Sequence, residues 1–118
     1  MSIDRVFVIG AGLMGHGIAQ VSAAAGKRVT LSDRTAELAE KGKGRIGFNL
    51  KRQVDKGKLE PSAADEILER VSTSEGTDGA AGHDIVIEAV FEDESVKRHT
   101  WEALTKAADP TAIFASNT

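Results

Sequence analysis

Three glycines near the amino terminus have the spacing of a loop that can cradle a phosphate group. Gly10, Gly12 and Gly15 form the pattern G-x-G-x-x-G. In such a loop the first glycine permits a tight turn, the second lets a pyrophosphate approach the backbone, and the third brings a helix close to a sheet. The amides at the start of that helix carry a partial positive charge, which stabilises an anion. We therefore expect these glycines to bind a pyrophosphate rather than only to shape a turn.

The elements around the loop give it the context that this chemistry needs. The apolar run 6–9 predicts a buried strand before the loop, and residues 18–25 predict a helix after it, ended by Gly26. A second strand, predicted at 29–31, leads to Ser32 and Asp33. A strand, a helix and a strand in this order form a βαβ unit with a right-handed crossover.

An acidic residue follows the second predicted strand. Asp33 lies 18 residues after Gly15, where a carboxylate can accept hydrogen bonds from both hydroxyls of an adenosine ribose. Its charge repels a 2′-phosphate, so it favours NAD over NADP as the cofactor. The adjacent Arg34 could instead pair with such a phosphate, but we interpret its side chain as solvated and lying over the adenine.

The rest of the chain continues to alternate between helical and strand-like segments. Residues 35–58 read as one long helix with Thr35 as N-cap, although the glycines at 42, 44 and 47 weaken it. A second helix is expected near Ser62, where Ser62–Asp65 resembles a capping box, and it should run to Arg70. Later strands are expected at 71–73, 84–88 and 112–115, with a loop at 76–82 and a helix at 95–108. This alternation predicts an α/β fold with a doubly wound, mainly parallel sheet.

The composition excludes several classes of protein. The 118 residues are 41% hydrophobic and 28% charged, with a net charge of −3, which fits one globular domain and gives no reason to expect nucleic acid. There is no cysteine, so disulfides, thiolate nucleophiles and cysteine-bound metals are excluded. No apolar run approaches the roughly 20 residues that cross a bilayer, and the amino terminus does not resemble a signal peptide. We expect a cytoplasmic domain with no metal site, no nucleic-acid partner and no membrane partner.

Three separated segments resemble the L-3-hydroxyacyl-CoA dehydrogenases. They are residues 10–20, with the glycine loop, residues 84–93, with acidic residues after a strand, and residues 113–118, which read Ile-Phe-Ala-Ser-Asn-Thr. The resemblance implies a Rossmann-like NAD-binding domain over 1–118, with 35–70 as the helical-pair insertion of this family. It also implies that the chain is truncated before the helical C-terminal domain, through which the intact family member is expected to form a homodimer.

The resemblance assigns cofactor contacts residue by residue. It implies that the glycine loop with Leu13 and Met14 holds the pyrophosphate, that Asp33 holds the ribose, and that Arg34 lies nearby. Further contacts with NAD are implied for Ala89, Val90, Glu92, Lys97 and Asn117. Glu92 and Lys97 could instead form an exposed ion pair. Glu88, at the end of a buried strand, is expected to be structural.

A basic segment suggests a second ligand contact. Residues 41–58 hold seven of the 15 cations and a single acid, Asp55. A solvated helix face is the simplest explanation, but the insertion helix of this family contacts the 3′-phosphate and adenine end of coenzyme A. Asn49 and Lys56 stand at the matching positions, seven residues apart and thus on one helix face. The family commonly has a hydroxyl residue where this chain has Asn49, and an amide can also bind a phosphate.

The catalytic residues of this family are not matched in the chain. The reaction is NAD-dependent oxidation of an L-3-hydroxyacyl-CoA to a 3-oxoacyl-CoA, as in fatty acid β-oxidation or butanoate-type metabolism. Its base is a histidine in a His-Phe-Asn-Pro-like segment, oriented by a glutamate, and the histidines at 16, 83 and 99 do not match it. We expect these three to be structural or exposed. The chain should therefore bind NAD without catalysing turnover of the acyl-CoA thioester.

Two other functions are compatible with the same loop. One is a different β-hydroxyacid dehydrogenase, of the gulonate or 3-hydroxyisobutyrate type. The other is a non-catalytic module that senses NAD. The basic helix discriminates the L-3-hydroxyacyl-CoA dehydrogenase from the NAD-sensing module, because in the dehydrogenase it binds coenzyme A and in the sensor it binds a partner.

Overall fold

A computed structural model describes residues 4–89, 102, 106–107 and 113–116 of the chain. Five parallel strands form one sheet in the order β3-β2-β1-β4-β5. The strands are β1 (Arg5–Ile9), β2 (Arg28–Asp33), β3 (Val71–Glu75), β4 (Ile85–Glu88) and β5 (Ile113–Ser116). The helices are α1 (Leu13–Ala24), α2 (Ala36–Asp55) and α3 (Pro61–Glu69), with a short 3₁₀ turn at Asp78–Ala80. The predicted α/β fold with a doubly wound parallel sheet is confirmed.

The order of the strands reverses at β1. The chain builds β2 and β3 on one side of β1 and then returns to place β4 and β5 on the other side. In an open parallel sheet, ligands bind outside the carboxyl ends of the strands at the point of this reversal. The crevice is therefore expected where β1 and β4 end, beside residues 10–12 and 89.

The sheet is buried on both faces around β1. Val6 and Val8 join Val29, Leu31 and the apolar faces of the three helices in the larger core cluster. Phe7 and Ile9 point to the opposite face, where they pack with Ala80, Val86 and Ala107. Because strand residues alternate between faces, an uninterrupted apolar run such as residues 6–9 requires cover on both sides.

The long helix α2 begins where its sequence predicts. Thr35 is the N-cap, and its hydroxyl oxygen accepts a hydrogen bond from the Leu38 amide at 3.2 Å. The buried side of the helix consists of Ala39, Gly42, Ile46 and Leu50, spaced three or four residues apart as on one helical face. The glycines that weaken the helical pattern do not interrupt it.

The predicted capping box at Ser62–Asp65 is wrong. Helix α3 already begins at Pro61, and its N-cap is Glu60, whose side chain makes no capping hydrogen bond. Proline suits the first position of a helix, since its φ angle is preset and its missing N–H has no intrahelical acceptor there. Ser62 and Asp65 therefore lie inside the helix.

Other boundaries differ from the prediction by a few residues. Strand β3 continues to Glu75, so that Asp33 pairs with Glu75 in the register of β2 and β3. The Ser32 hydroxyl is buried and donates to the Gly76 carbonyl at 2.5 Å, which ties the end of β3 to β2. Residues 102, 106 and 107 are helical, while the remainder of the helix predicted at 95–108 lies outside the described residues.

Asp84 links β1 and β4 at the end of the sheet opposite the crevice, where both strands begin. Its Oδ2 accepts hydrogen bonds from the backbone N–H groups of Asp4 at 2.9 Å and Arg5 at 3.0 Å. These two donors stabilise the charged carboxylate and hold the pKa of Asp84 below its usual range. The contact anchors the start of β1 to the residue that precedes β4.

Membrane-spanning helices and metal-binding clusters are two features that the described residues can be checked for. Among residues 4–89 and the few described beyond them, no helix is long and apolar enough to cross a membrane. The same residues contain no group of three or more histidine and acidic side chains that could hold a metal ion.

Candidate functional site

The glycine loop lies at the carboxyl end of the central strand β1. Gly10 has a φ of +107°, in the left-handed region that favours glycine, and its amide donates to the Ser32 carbonyl at 2.7 Å. A Cβ atom on Gly15 would lie 1.5 Å from the Gly10 carbonyl oxygen. The roles predicted for these two glycines, a tight turn and a close approach of helix to strand, therefore follow from the backbone itself.

Gly12 has a different environment from Gly15. A Cβ atom added to Gly12 would meet nothing within 4 Å, so the glycine faces open space. The residue is the N-cap of α1, and no side chain among the described residues caps this helix end. The first amides of a helix have no acceptor within the helix, so those of α1 are available to an anion. In contrast, the N-terminus of α2 is capped by its own threonine.

The Asp33 carboxylate is fixed beside the loop by two backbone donors. Its Oδ2 accepts a hydrogen bond from the Ala11 amide at 2.7 Å, and its Oδ1 accepts one from the Arg34 amide at 2.7 Å. A carboxylate oxygen has two lone pairs, so each oxygen can still accept a ligand hydroxyl. The side chain of Arg34 is exposed.

Strand β4 closes the other side of the loop. The Ala89 amide donates to the Ile9 carbonyl at 2.8 Å. The Cβ of Ala89 lies 3.7 Å from where a Cβ on Gly15 would stand. Glu88 is almost fully buried at the end of β4, in register with Ile9 and Ser116. The structure thus places Ala89 next to the loop, and its contact with the cofactor stays a prediction.

Leu13 and Met14, the other predicted contacts in the loop, are exposed side chains at the start of α1. Leu13 is 83% exposed and Met14 is 55% exposed. They are the first two residues of α1 and directly follow Gly12, whose α-carbon faces open space. The predicted contacts Val90, Glu92, Lys97 and Asn117 lie outside the described residues.

The two residues predicted to contact coenzyme A lie together on α2. Asn49 and Lys56 line one shallow depression of about 250 Å³ with Gln20, Arg52, Gln53 and Lys58. The Asn49 side-chain amide donates to the side-chain oxygen Oε1 of Gln20 at 3.2 Å. The structure therefore brings Asn49 and Lys56 into one basic site.

His83 has a structural environment, as predicted. Its Nε2 lies 2.9 Å from the Thr30 hydroxyl, and its Nδ1 lies 3.2 Å from the Ala80 carbonyl. The ring also packs edge-on against Phe7, with the ring centroids 5.3 Å apart. His16 lies in the first turn of α1, and His99 lies outside the described residues.

One contact of the site could not be anticipated from the pattern of residues. A Cβ atom on Gly42 would lie 2.8 Å from the Ala11 Cβ and 2.9 Å from the Ala11 carbonyl oxygen. Helix α2 therefore packs against the backbone of the glycine loop through a glycine that is buried in mid-helix. The only signal in the sequence was a glycine that weakened the helix, which by itself does not identify its neighbour.

Comparison with known proteins gives a consistent result. The family model "3-hydroxyacyl-CoA dehydrogenase, NAD binding domain" matches residues 5–118. The mitochondrial hydroxyacyl-coenzyme A dehydrogenase of Rattus norvegicus is 45% identical over 98% of this chain and 39% of its own length. The 3-hydroxybutyryl-CoA dehydrogenase of Bradyrhizobium diazoefficiens is 43% identical, over 98% of this chain and 40% of its own.

Solved structures show the same relationship. The (S)-3-hydroxybutyryl-CoA dehydrogenase of Ralstonia eutropha superposes with a TM-score of 0.95 at 34% identity, over 99% of this chain and 41% of the other. FadB2 of M. tuberculosis has a TM-score of 0.95 at 40% identity, over 100% and 42%. The chain thus spans about two fifths of the length of these relatives. With its glycine loop, its strand order and these matches, the chain belongs to the family of NAD-binding domains of the 3-hydroxyacyl-CoA dehydrogenases.

Proposed function

We propose that the chain binds NAD at the carboxyl ends of β1 and β2 and is the cofactor-binding part of an L-3-hydroxyacyl-CoA dehydrogenase. The observation that carries the proposal is the hydrogen bond from the Ala11 amide to Asp33. It brings a carboxylate that can bind a ribose next to the loop that can bind a pyrophosphate. Oxidation by hydride transfer is the chemistry that NAD supplies.

The residues of this site have distinct roles in the proposal. The amides that follow Gly12 bind the pyrophosphate, because the helix end is uncapped and the space in front of it is open. Asp33 accepts the ribose hydroxyls, and Arg34 covers the adenine. Ala89 limits the crevice on the side of β4, where it adjoins the loop. The predicted roles of Val90, Glu92, Lys97 and Asn117 toward the nicotinamide side belong to the same proposal.

The substrate class is an acyl-CoA thioester. The names of the rat and Bradyrhizobium relatives support this assignment, and so does the basic depression that holds Asn49 and Lys56. In the proposal these two side chains bind the 3′-phosphate of coenzyme A, by hydrogen bonding and by charge. The reaction oxidises the 3-hydroxyl of an L-3-hydroxyacyl-CoA, as in fatty acid β-oxidation or butanoate-type metabolism.

Catalysis by this chain alone is not expected. His83 holds the sheet together through Thr30 and Phe7 and lies away from the crevice. His16 lies in the first turn of α1, beside the proposed pyrophosphate site. Mixing the chain with NADH and acetoacetyl-CoA should therefore give no oxidation of NADH above the background rate. Measurable turnover would contradict this part of the proposal and leave cofactor binding intact.

A pair of glycine variants tests the cofactor site. Gly12→Ala adds a methyl group to the open space where the pyrophosphate would lie and meets no protein atom within 4 Å. Calorimetric titration should show that it weakens NADH binding by at least tenfold while leaving the thermal unfolding midpoint nearly unchanged. Gly17→Ala, also in open space one turn further along α1, is the matched control and should bind NADH like the wild type. Equal NADH affinity in both variants would contradict the proposed site.

Compartment and assembly also need a test. We expect a cytoplasmic location and expect the intact family member to be a homodimer. Relatives named as mitochondrial exist, so subcellular fractionation of the source cells tests the location. Sedimentation of the intact polypeptide tests the assembly.

A further inference from the structure

Helix α1 carries a histidine in its first turn that no described residue binds. His16 is half-buried, and none of the described residues forms a hydrogen bond or an ion pair with its ring. Within the same residues no side-chain nitrogen or oxygen is buried without a partner, so both ring nitrogens of His16 reach solvent. His83, in contrast, has a hydrogen-bond partner at each ring nitrogen. The imidazole of His16 is therefore available to a ligand.

The position of His16 on α1 directs its ring toward Gly12. Gly12 is the N-cap of the helix, and the amide of His16 donates to the Gly12 carbonyl at 3.0 Å. A helical side chain points back toward the N-terminus and covers the turn before its own Cα. In that turn, a Cβ atom on Gly12 would meet nothing within 4 Å. The ring of His16 thus borders the open space assigned to the pyrophosphate.

Charged side chains from neighbouring elements lie near this turn. Helix α2 runs beside α1, since it packs Gly42 on Ala11 and its Asn49 side chain donates to Gln20. The charged groups that the packed elements bring toward the turn are Lys41, Lys43 and Arg45 of α2, Asp33 of β2, Arg34 after it, and Glu75 at the end of β3.

The other charges next to α1 lie at its far end. Arg70, the C-cap of α3, donates to the Ala23 carbonyl at 3.0 Å, and Arg5 begins β1 at the end of the sheet away from the crevice. Helix α1 itself has no titratable side chain besides His16. Only histidine side chains ordinarily change their charge between pH 5 and 8. Among the described residues near the glycine loop, His16 is therefore the group whose charge responds to pH in this range.

A titratable cation beside a pyrophosphate couples ligand binding to protonation. The pyrophosphate is anionic, and a negative charge close to an imidazole favours its protonated form. The imidazolium also has N–H donors at both ring nitrogens, whereas the neutral ring has a single one. We propose that His16 donates to the pyrophosphate of NAD and takes up a proton when the cofactor binds, so that the affinity for NAD rises as the pH falls.

This inference rests on the proposed function and adds a regulation of the same site. The glycine loop binds the pyrophosphate through backbone amides, whose charge does not change with pH, and His16 adds a contact whose charge does. The sequence alone suggests a structural or exposed role for His16, but the ring is left without a partner beside Gly12. Lys43 and Arg45 could also attract the phosphates. Their charge stays constant between pH 5 and 8, so a pH-dependent affinity distinguishes them from His16.

The test is calorimetric titration of the chain with NADH at about pH 8 and about pH 6, in buffers of different ionisation enthalpy, which reports the protons taken up. The wild type should bind NADH roughly fivefold more tightly at the lower pH, the upper range for a partly exposed charge pair, with net proton uptake. His16→Gln keeps an N–H donor but cannot become charged. It should bind NADH with the same affinity at both pH values and without proton uptake.

Two further variants and a change of salt make the result specific. His16→Lys carries a fixed cation, so its NADH affinity should not depend on pH. His99→Gln removes a different histidine and should keep the pH dependence of the wild type. Raising the salt concentration should reduce the difference between the two pH values, because salt screens the attraction between charges. The thermal unfolding midpoint checks that each variant is folded at both pH values.

The outcomes separate this inference from the proposed function. If the wild type binds NADH with equal affinity at both pH values, the role of His16 is wrong and the cofactor site stands. If His16→Gln keeps the pH dependence and the proton uptake of the wild type, another group titrates and the assignment to His16 fails. If the wild type does not bind NADH at either pH, the proposed cofactor site fails together with this inference.

Discussion

The backbone amide of Ala11 donates a hydrogen bond to Oδ2 of Asp33 across 2.7 Å. The two residues are 22 positions apart in the chain, and the contact joins the glycine loop after β1 to the end of β2. This hydrogen bond orients the turn of the glycine loop. It also fixes the direction of both carboxylate oxygens of Asp33. A ligand that binds to both groups finds them already positioned.

Replacing the carboxylate should weaken NADH binding more than it weakens the fold. Asp33→Asn removes the charge and one acceptor oxygen, and a hydrogen bond to a charged group contributes about 1.5–3 kcal/mol. Titration should show a loss of NADH affinity of roughly tenfold or more, and a smaller difference between NADH and NADPH. Asp65→Asn, at an exposed position on α3, is the control and should behave as the wild type.

Replacing two glycines of α2 by alanine should change the free energy of unfolding in opposite directions. Gly42→Ala would place a methyl group 2.8 Å from the Ala11 Cβ and 3.0 Å from a Leu31 methyl carbon, and overpacking of this kind costs about 1–3 kcal/mol. Gly44→Ala meets nothing within 4 Å and should stabilise the helix by about 1 kcal/mol. Urea unfolding of both variants measures the difference, and a stable Gly42→Ala protein would show that α2 does not press on the loop.

The Gly42→Ala variant should also affect the ligand. Any adjustment of Ala11 moves the amide that holds Asp33, so NADH should bind more weakly than to Gly44→Ala. Titration of the two variants under conditions where both are folded separates this effect from loss of stability. Equal NADH affinities would mean that the loop accommodates the methyl group without moving.

The carboxylate of Asp84 should make the stability of the fold depend on acidity. Its pKa is lowered in the folded protein by the amides of Asp4 and Arg5, so the unfolded chain binds more protons as the pH falls. The stabilisation is complete above the ordinary aspartate pKa of about 3.9 and is lost as the pH falls through the lower folded value.

Urea unfolding at a series of pH values checks this expectation. Asp84→Asn should be less stable than the wild type at neutral pH, and the difference should shrink as the pH falls below about 4. Asp78→Asn, at an exposed position of the 3₁₀ turn, provides the comparison. A constant difference between Asp84→Asn and the wild type from pH 7 to pH 2.5 would contradict the assignment.

The N-cap of α2 gives a simple test of local stability. Thr35→Ala removes the oxygen that accepts from the Leu38 amide and should destabilise the protein by about 1 kcal/mol. Thr35→Ser keeps that oxygen and should be close to the wild type in urea unfolding. If both variants lose the same stability, the threonine contributes through its methyl group and not through the cap.

Much of the fold could be predicted because its signals are local. The apolar run of β1, the cap at Thr35 and the glycine after α1 each act on their immediate neighbours, so the sequence indicates them directly. The start of α3 differs from the prediction because Ser62 and Asp65 have the spacing of a capping box, whereas the helix begins at Pro61 without a side-chain cap. Strand β3 ends later than predicted because its last residues are polar and are held in the sheet by pairing with β2.

Part of the site could also be predicted from local signals in the sequence. The sequence shows the order and spacing of Gly10, Gly12, Gly15 and Asp33 directly. Each residue type meets a steric or charge requirement of one ligand, so the pattern can be recognised. The sequence alone therefore determined the βαβ unit and the place of the anion site at the start of α1. It also determined that the acidic residue lies at the carboxyl end of β2.

Only the tertiary structure decided how these parts meet. It put a hydrogen bond between Ala11 and Asp33, packed Gly42 on the glycine loop, and placed Gln20 of α1 against Asn49 of α2. These contacts depend on how a helix is docked on a sheet, and many residues far apart in the chain contribute to that docking. A residue pattern specifies which groups can bind a ligand, but the distances between those groups are set by packing.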